Sequence, residues 1–94
     1  MQEEILAGTR LLRKYGPHLG RPHVDTLSGT SLKNLKELRI QYKGDPWRIL
    51  FAFDPKRCAI LLVGGNKGRD KKWYHTHIPL AEMRFKKHLK KMEK

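Results

Sequence analysis

Two arginines, Arg39 and Arg48, lie in stretches where apolar and polar residues alternate. Leu38, Ile40 and Tyr42 alternate with Arg39, Gln41 and Lys43, and Trp47, Ile49, Phe51 and Phe53 alternate with Arg48, Leu50 and Ala52. Alternation of period two marks strands with one core face and one other face. A hairpin pairing Tyr42 with Trp47, Ile40 with Ile49 and Leu38 with Phe51 brings the apolar sets together. It places Gln41 opposite Arg48 and Arg39 opposite Leu50, so both arginines leave the sheet away from the core. A one-residue slip would reverse every side chain, which makes the choice of faces well specified. Guanidinium grips phosphate in a fork. Two of them on one face, beside the basic loop 66–74, point to a polyanion, RNA in particular. Arg48 is the candidate charge stabiliser and Arg39 the holder of an adjacent phosphate; the plainer alternative is a solvated strand face. Glu37 shares that face as a candidate general base, or as a salt-bridge partner of the arginines.

The charge of the whole chain agrees. It has 94 residues, with 21 Lys and Arg against nine Asp and Glu, a formal net charge of +12. That length supports one domain, taken as residues 1–94. Such charge directs a protein to nucleic acid or to an anionic membrane surface. Residues 67–72 hold Lys67, Arg69, Lys71 and Lys72 against Asp70 alone, and residues 84–94 carry a second basic run. A single cysteine, Cys58, excludes an intrachain disulfide and a cysteine-based zinc site, and its place at the head of an apolar strand predicts a buried, inert thiol. The opening Met-Gln-Glu-Glu is acidic where a secretory leader would be basic, and the longest apolar run, residues 59–63, is too short to span a bilayer. The expectation is a cytoplasmic protein with no membrane partner.

The elements that must position these residues follow from periodicity. Residues 3–15 read as a helix with Ile5, Leu12 and Tyr15, flanked by Leu11, on its apolar stripe. Gly16 caps it and Pro17 ends it. Residues 20–33 read as an irregular connection. Strands follow at 35–42, 47–53 and 58–63, the first two joined by a turn over 43–46 and the last two by a type I turn at Asp54-Pro55-Lys56-Arg57. The third strand is apolar on both faces, which predicts a central, covered strand. Residues 73–77 read as a short further strand, across which Trp73 and Tyr74 point to opposite sides. Pro79 then opens a terminal helix with Ala81, Phe85, Leu89 and Met92 on one face and lysines on the other. The class is α+β: an antiparallel meander packed against an N-terminal helix, with a basic C-terminal helix.

Several of these stretches resemble a known family. Asn34-Leu-Lys-Glu-Leu-Arg39, Trp47-Arg-Ile-Leu-Phe-Ala-Phe53, the apolar strand running into Gly65-Asn-Lys67, Lys72-Trp-Tyr74 and Ile78-Pro-Leu-Ala81 look like the RelE/ParE toxin superfamily, and within it the HigB-like, phage-derived Gp49-like branch. The likeness covers about residues 11–89. It departs at the N-terminus, where family members usually carry a strand and a further helix before the helix matching residues 3–15. The resemblance implies the toxin of a type II toxin–antitoxin pair, a ribosome-dependent mRNA endoribonuclease that blocks translation. Its implied partners are a cognate helix-turn-helix antitoxin and the ribosome with its mRNA.

Such cleavage needs no metal or cofactor: the ribose 2′-hydroxyl attacks the neighbouring phosphodiester. The protein must take that proton, stabilise charge on the phosphorane and protonate the leaving 5′-oxygen. By the resemblance, Arg48, Lys67 and Tyr74, with Glu37, are the catalytic candidates, and Arg48, outside the proposed core, should be removable without harm to the fold. Arg39, Arg69, Lys71, Lys72 and Trp73 are RNA-binding candidates near them. Lys87 and Lys90, on the helix, suit docking to ribosomal RNA. His75 and His77 on one strand face are a weaker pair, for a metal or for acid catalysis. Two other readings remain: a non-catalytic RNA- or ribosome-binding protein, and a ParE-like toxin that binds a protein target.

Overall fold

The computed structural model describes residues 2–93; Met1 of the acidic opening and Lys94 of the basic C-terminal run lie outside them. Helix α1 (Gln2–Tyr15) leads through a 3-10 turn (Gly16–His18) into β1 (Val24–Thr26), β2 (Lys36–Tyr42), β3 (Asp45–Phe53), β4 (Ala59–Asn66) and α2 (Trp73–Met92). The strands form one antiparallel sheet in the order β1-β2-β3-β4. This is the expected α+β arrangement, with a different distribution of its layers. Among the described residues no helix is long and apolar enough to cross a membrane.

The hairpin register differs from expectation by two residues. Leu38 pairs with Ile49, Ile40 with Trp47 and Arg39 with Arg48, while Gln41 lies opposite Pro46. The cause is the turn. Four residues were expected in it, but Tyr42 pairs with Asp45 and leaves only Lys43 and Gly44 between the strands. Both have positive φ, 49° and 83°, as a tight hairpin turn matching the strand twist requires. Because the displacement is even, every side chain stays on its predicted face. Replacing Gly44 with alanine is expected to cost about 1–2 kcal/mol through this left-handed backbone alone, read as a lower urea midpoint at an unchanged slope.

The two helices cover opposite faces, so the arginine face, expected to lie away from the core, is partly covered as well. On the first face Leu12 of α1 packs with Val24, Leu38, Ile40 and Phe51, joined by Ile5, Trp47, Ile49 and Phe53. The seam of α1 runs through Ile5, Gly8 and Leu12. A Cβ on Gly8 would stand 3.0 Å from Leu38 Cδ2, so its absence lets the helix approach the sheet. Tyr15, expected in the stripe, is exposed instead. On the second face Trp73, Ala81 and Phe85 of α2 pack on Leu35, Leu50, Ala52 and Leu62. The arginine face therefore carries its own apolar half beneath α2, and the charged residues occupy only the remainder.

Four local expectations are corrected. Residues 20–33 contain a strand: Val24, Asp25 and Thr26 pair with Leu38, Glu37 and Lys36, and buried Val24 supplies the energetic reason. β4 is an edge strand, and Leu61 on it is half exposed. Cys58 is exposed in the turn before β4. Residues 73–77 are the first turns of α2, not a strand, and Pro79 lies inside that helix. Trp73 and His77 stack at 4.2 Å between centroids with planes 13° apart, a contact between positions four apart that a helix makes and a strand does not. The turn at Asp54 forms as expected, with Arg57 N–H donating to Asp54 O at 2.8 Å. Asp54 also accepts from Lys56 N–H and Cys58 N–H and meets His88 Nε2 at 3.0 Å, tying the turn to α2. The Cys58 N–H bond and His88 hold its carboxyl below the usual range.

Candidate active site

Glu37 is the hub of the arginine face. It lies in β2, only 3% exposed. Its Oε1 accepts from the Tyr74 hydroxyl at 2.5 Å and stands 3.3 Å from Arg48 Nε, and its Oε2 lies 3.3 Å from an Arg39 terminal nitrogen. A carboxylate this deeply placed is tolerated because two guanidinium groups and a phenol surround it. The Arg48 Nε–H is within ion-pair range but poorly aimed for a hydrogen bond, and has no other acceptor. A terminal nitrogen of Arg48 donates to Trp47 O at 3.0 Å.

Sequence periodicity explains this convergence. Glu37 and Arg39 are alternate residues of β2, Arg48 pairs directly with Arg39, and all three leave the sheet on the side where α2 packs. Tyr74 arrives from the first turn of α2 and Lys67 from the end of β4. Lys67 N–H donates to Pro46 O at 2.9 Å, which fixes the start of the loop. Its Nζ lies 5.5 Å from the centroid of the Tyr74 ring, within cation–π range. Arg39 continues the network outward to Asp25 at 3.1 Å, and Asp25 also pairs with Arg21 at 3.1 Å.

These contacts set the protonation states. Burial, and then the hydrogen bond and charge of Glu37, push the Tyr74 phenol above its ordinary value, with Arg48 opposing them. Tyr74 is therefore neutral at physiological pH and holds its proton toward Glu37. The Asp25 carboxyl is held below the usual range, chiefly by the Arg21 hydrogen bond with help from Thr26 N–H and Arg39.

The structure thus gathers Glu37, Arg39, Arg48, Lys67 and Tyr74. Arg48 is more enclosed than expected, its side chain 14% exposed against 35% for Arg39. Arg69, Lys71 and Lys72 are exposed on the loop that follows Lys67. Trp73 does not fit an RNA-binding role: it is 2% exposed and belongs to the core under α2. Lys87 and Lys90 are exposed on α2, roughly 20 Å or more beyond Tyr74 along its axis. His75 and His77 share no strand face; His77 is stacked on Trp73, and His88 belongs to Asp54. Among the described residues no three His, Cys, Asp or Glu side chains group to hold a metal. Asp25 is the site-adjacent residue that sequence reasoning missed. Its signal was the short polar–apolar alternation about Val24.

The comparisons with known proteins follow the same lines. The model of a family described as phage derived protein Gp49-like matches residues 1–86. The chain is 47% identical over 93 residues to a protein of Mycobacterium tuberculosis (strain H37Rv) named as toxin HigB2, covering 97% of this chain and 46% of that one. It is 53% identical over 75 residues to one named as toxin HigB3 from the same organism, covering 79% of this chain and 64% of that one. The chain thus spans about half the length of the first relative and under two thirds of the second. No solved structure matches it.

Proposed function

Because the chain belongs to the phage-derived Gp49-like family, in its HigB-like branch, we propose that it is a toxin that cleaves messenger RNA on the ribosome, held in check by a cognate helix-turn-helix antitoxin. One observation carries the reading: a buried carboxylate joined to a neutral phenol at 2.5 Å, with two guanidinium groups and an ammonium around them.

In the proposed reaction the 2′-hydroxyl gives its proton to the Tyr74 oxygen as Tyr74 passes its own to Glu37. A phenol whose ionisation is opposed by burial and by a neighbouring carboxylate cannot keep a negative charge, so the proton must be handed on. The short O–H···O⁻ contact provides the route. The 2′-oxygen bonds to phosphorus and the bond to the 5′-oxygen breaks. Lys67 gives that oxygen a proton, leaving a 2′,3′-cyclic phosphate. Arg48 and Arg39 oppose the charge that grows on the phosphorane, where preorganised groups are most effective. Solvent then returns the proton from Glu37 to Lys67.

Primer extension on a translated message tests this directly: the wild-type protein should produce discrete cuts that require ribosomes. Ribosome binding without any cut would favour a non-catalytic binder. The exposed lysines of α2 and of residues 67–72 serve docking. Binding to ribosomes is therefore expected to weaken steeply with salt, and Lys90→Ala to lower the slope of log affinity against log salt by about one. Affinity that ignores salt would count against this mode of docking. An antitoxin that neutralises the protein should present acidic or apolar elements to the same basic face.

A further inference from the structure

A cleft of about 380 Å³ adjoins the cluster, between the strand that carries Asp25 and the start of α2. Glu37 and Tyr74 form the wall it shares with the proposed reaction centre. Leu27 and Ile78, both packed against the α2 core, supply apolar sides. Asp25, Thr26 and Ser28 complete the rim. Among the described residues no Lys or Arg belongs to the lining itself, although Arg39 bonds to both of its carboxylates and Lys36 Nζ meets Thr26 Oγ1 at 3.1 Å on the rim. Phosphate would meet two carboxylates there, so the charge of the site is divided. The phosphate belongs on the side of Lys67 and the guanidinium groups, and something uncharged, flat and rich in N–H donors belongs on the other.

Resting on the RNA reading of the site, we infer that this cleft receives a nucleobase next to the scissile phosphate, and that Asp25 selects adenine, cytosine or guanine over uracil by accepting a hydrogen bond from their amino groups. The Asp25 carboxylate offers about four lone-pair positions. Oδ2 accepts from Arg21 and Arg39, and Oδ1 accepts from Thr26 N–H. One position on Oδ1 is left. Its side chain is 24% exposed, and its low proton affinity keeps it an acceptor at neutral pH. An amino group satisfies a carboxylate, as it does when acidic side chains read cytosine; uracil has no amino group, and its one edge donor, N3–H, lies between two carbonyl oxygens that a carboxylate repels.

The test uses RNA trinucleotides with a 2′-deoxy sugar at the central position, which cannot be cut there, varied at each base in turn. Binding to the full chain is followed by the methyl NMR signals of Leu27 and Ile78. At one position the amino-bearing bases should bind roughly tenfold more tightly than uracil, the worth of one charge-assisted hydrogen bond, and should shift both methyl groups. Asp25→Asn, which offers a donor as well as an acceptor, should erase the preference. Asp25 also holds Arg39, so Ser28→Ile, at an exposed residue of the rim, is the second variant; by filling the cleft it should bring all four bases to one affinity and abolish the shifts of both methyl signals. Equal affinity for all four bases at every position, or a preference that survives both variants, would overturn the assignment. Selective binding without cleavage of translated message would sink the nuclease reading and leave the cleft, whereas cleavage without selective binding would sink the cleft alone.

Discussion

Glu37→Gln and Tyr74→Phe are each expected to slow ribosome-dependent cleavage by about 10²–10⁴-fold, the usual worth of a general acid–base group. The double variant is expected to be no slower than the worse single one. Residues that act as one unit lose the whole effect at the first cut, and the 2.5 Å contact makes these two a unit. Both substitutions preserve volume, so neither opens a cavity. Single-turnover cleavage by all three variants is the measurement. Losses that multiply would show that Tyr74 and Glu37 act separately, and would leave Glu37 as an anchor for the arginines.

Arg48→Ala is expected to abolish cleavage and growth inhibition. Its effect on the fold differs from the sequence-based expectation of no harm. Arg48 is largely enclosed beside Glu37, and removing it leaves a buried carboxylate with Arg39 as its one remaining guanidinium partner. Breaking a buried pair costs about 3–5 kcal/mol, and the retained Arg39 should hold the loss near or below the lower end. Arg48→Lys separates the two consequences, because it keeps the charge and gives up the planar fork. It should recover most of the stability and little of the rate. Denaturant unfolding beside primer extension reads both, and a stable, fully active Arg48→Ala protein would remove this residue from the mechanism.

Much of this site was legible in the chain because parity survives small errors. The register from periodicity was displaced by two residues, yet Glu37, Arg39 and Arg48 still fell on one face, since an even slip changes partners and not sides. What misled was local. Pro79 reads as the start of a helix because proline suits a first turn, while the spacing by four of Trp73, His77, Ala81 and Phe85 carried the helix six residues earlier. Burial of Trp73 and Phe85 outweighed the lost proline N–H, an energetic balance no local rule contains. The apolar outer face of β4 suggested a central strand, but a run of apolar residues does not say how many neighbours it will find. Val24 was too short a signal for a strand, and with it Asp25 was missed.

The contact between Glu37 and Tyr74 joins residues 37 positions apart, and this gives the protein a clock. Everything the proposed reaction needs from the sheet, Glu37, Arg39 and Arg48, is synthesised first; the proton carrier comes afterwards, and the helix that holds it ends only at Met92. On the proposed reaction, a chain still being made would have the phosphate grip without the means to cut.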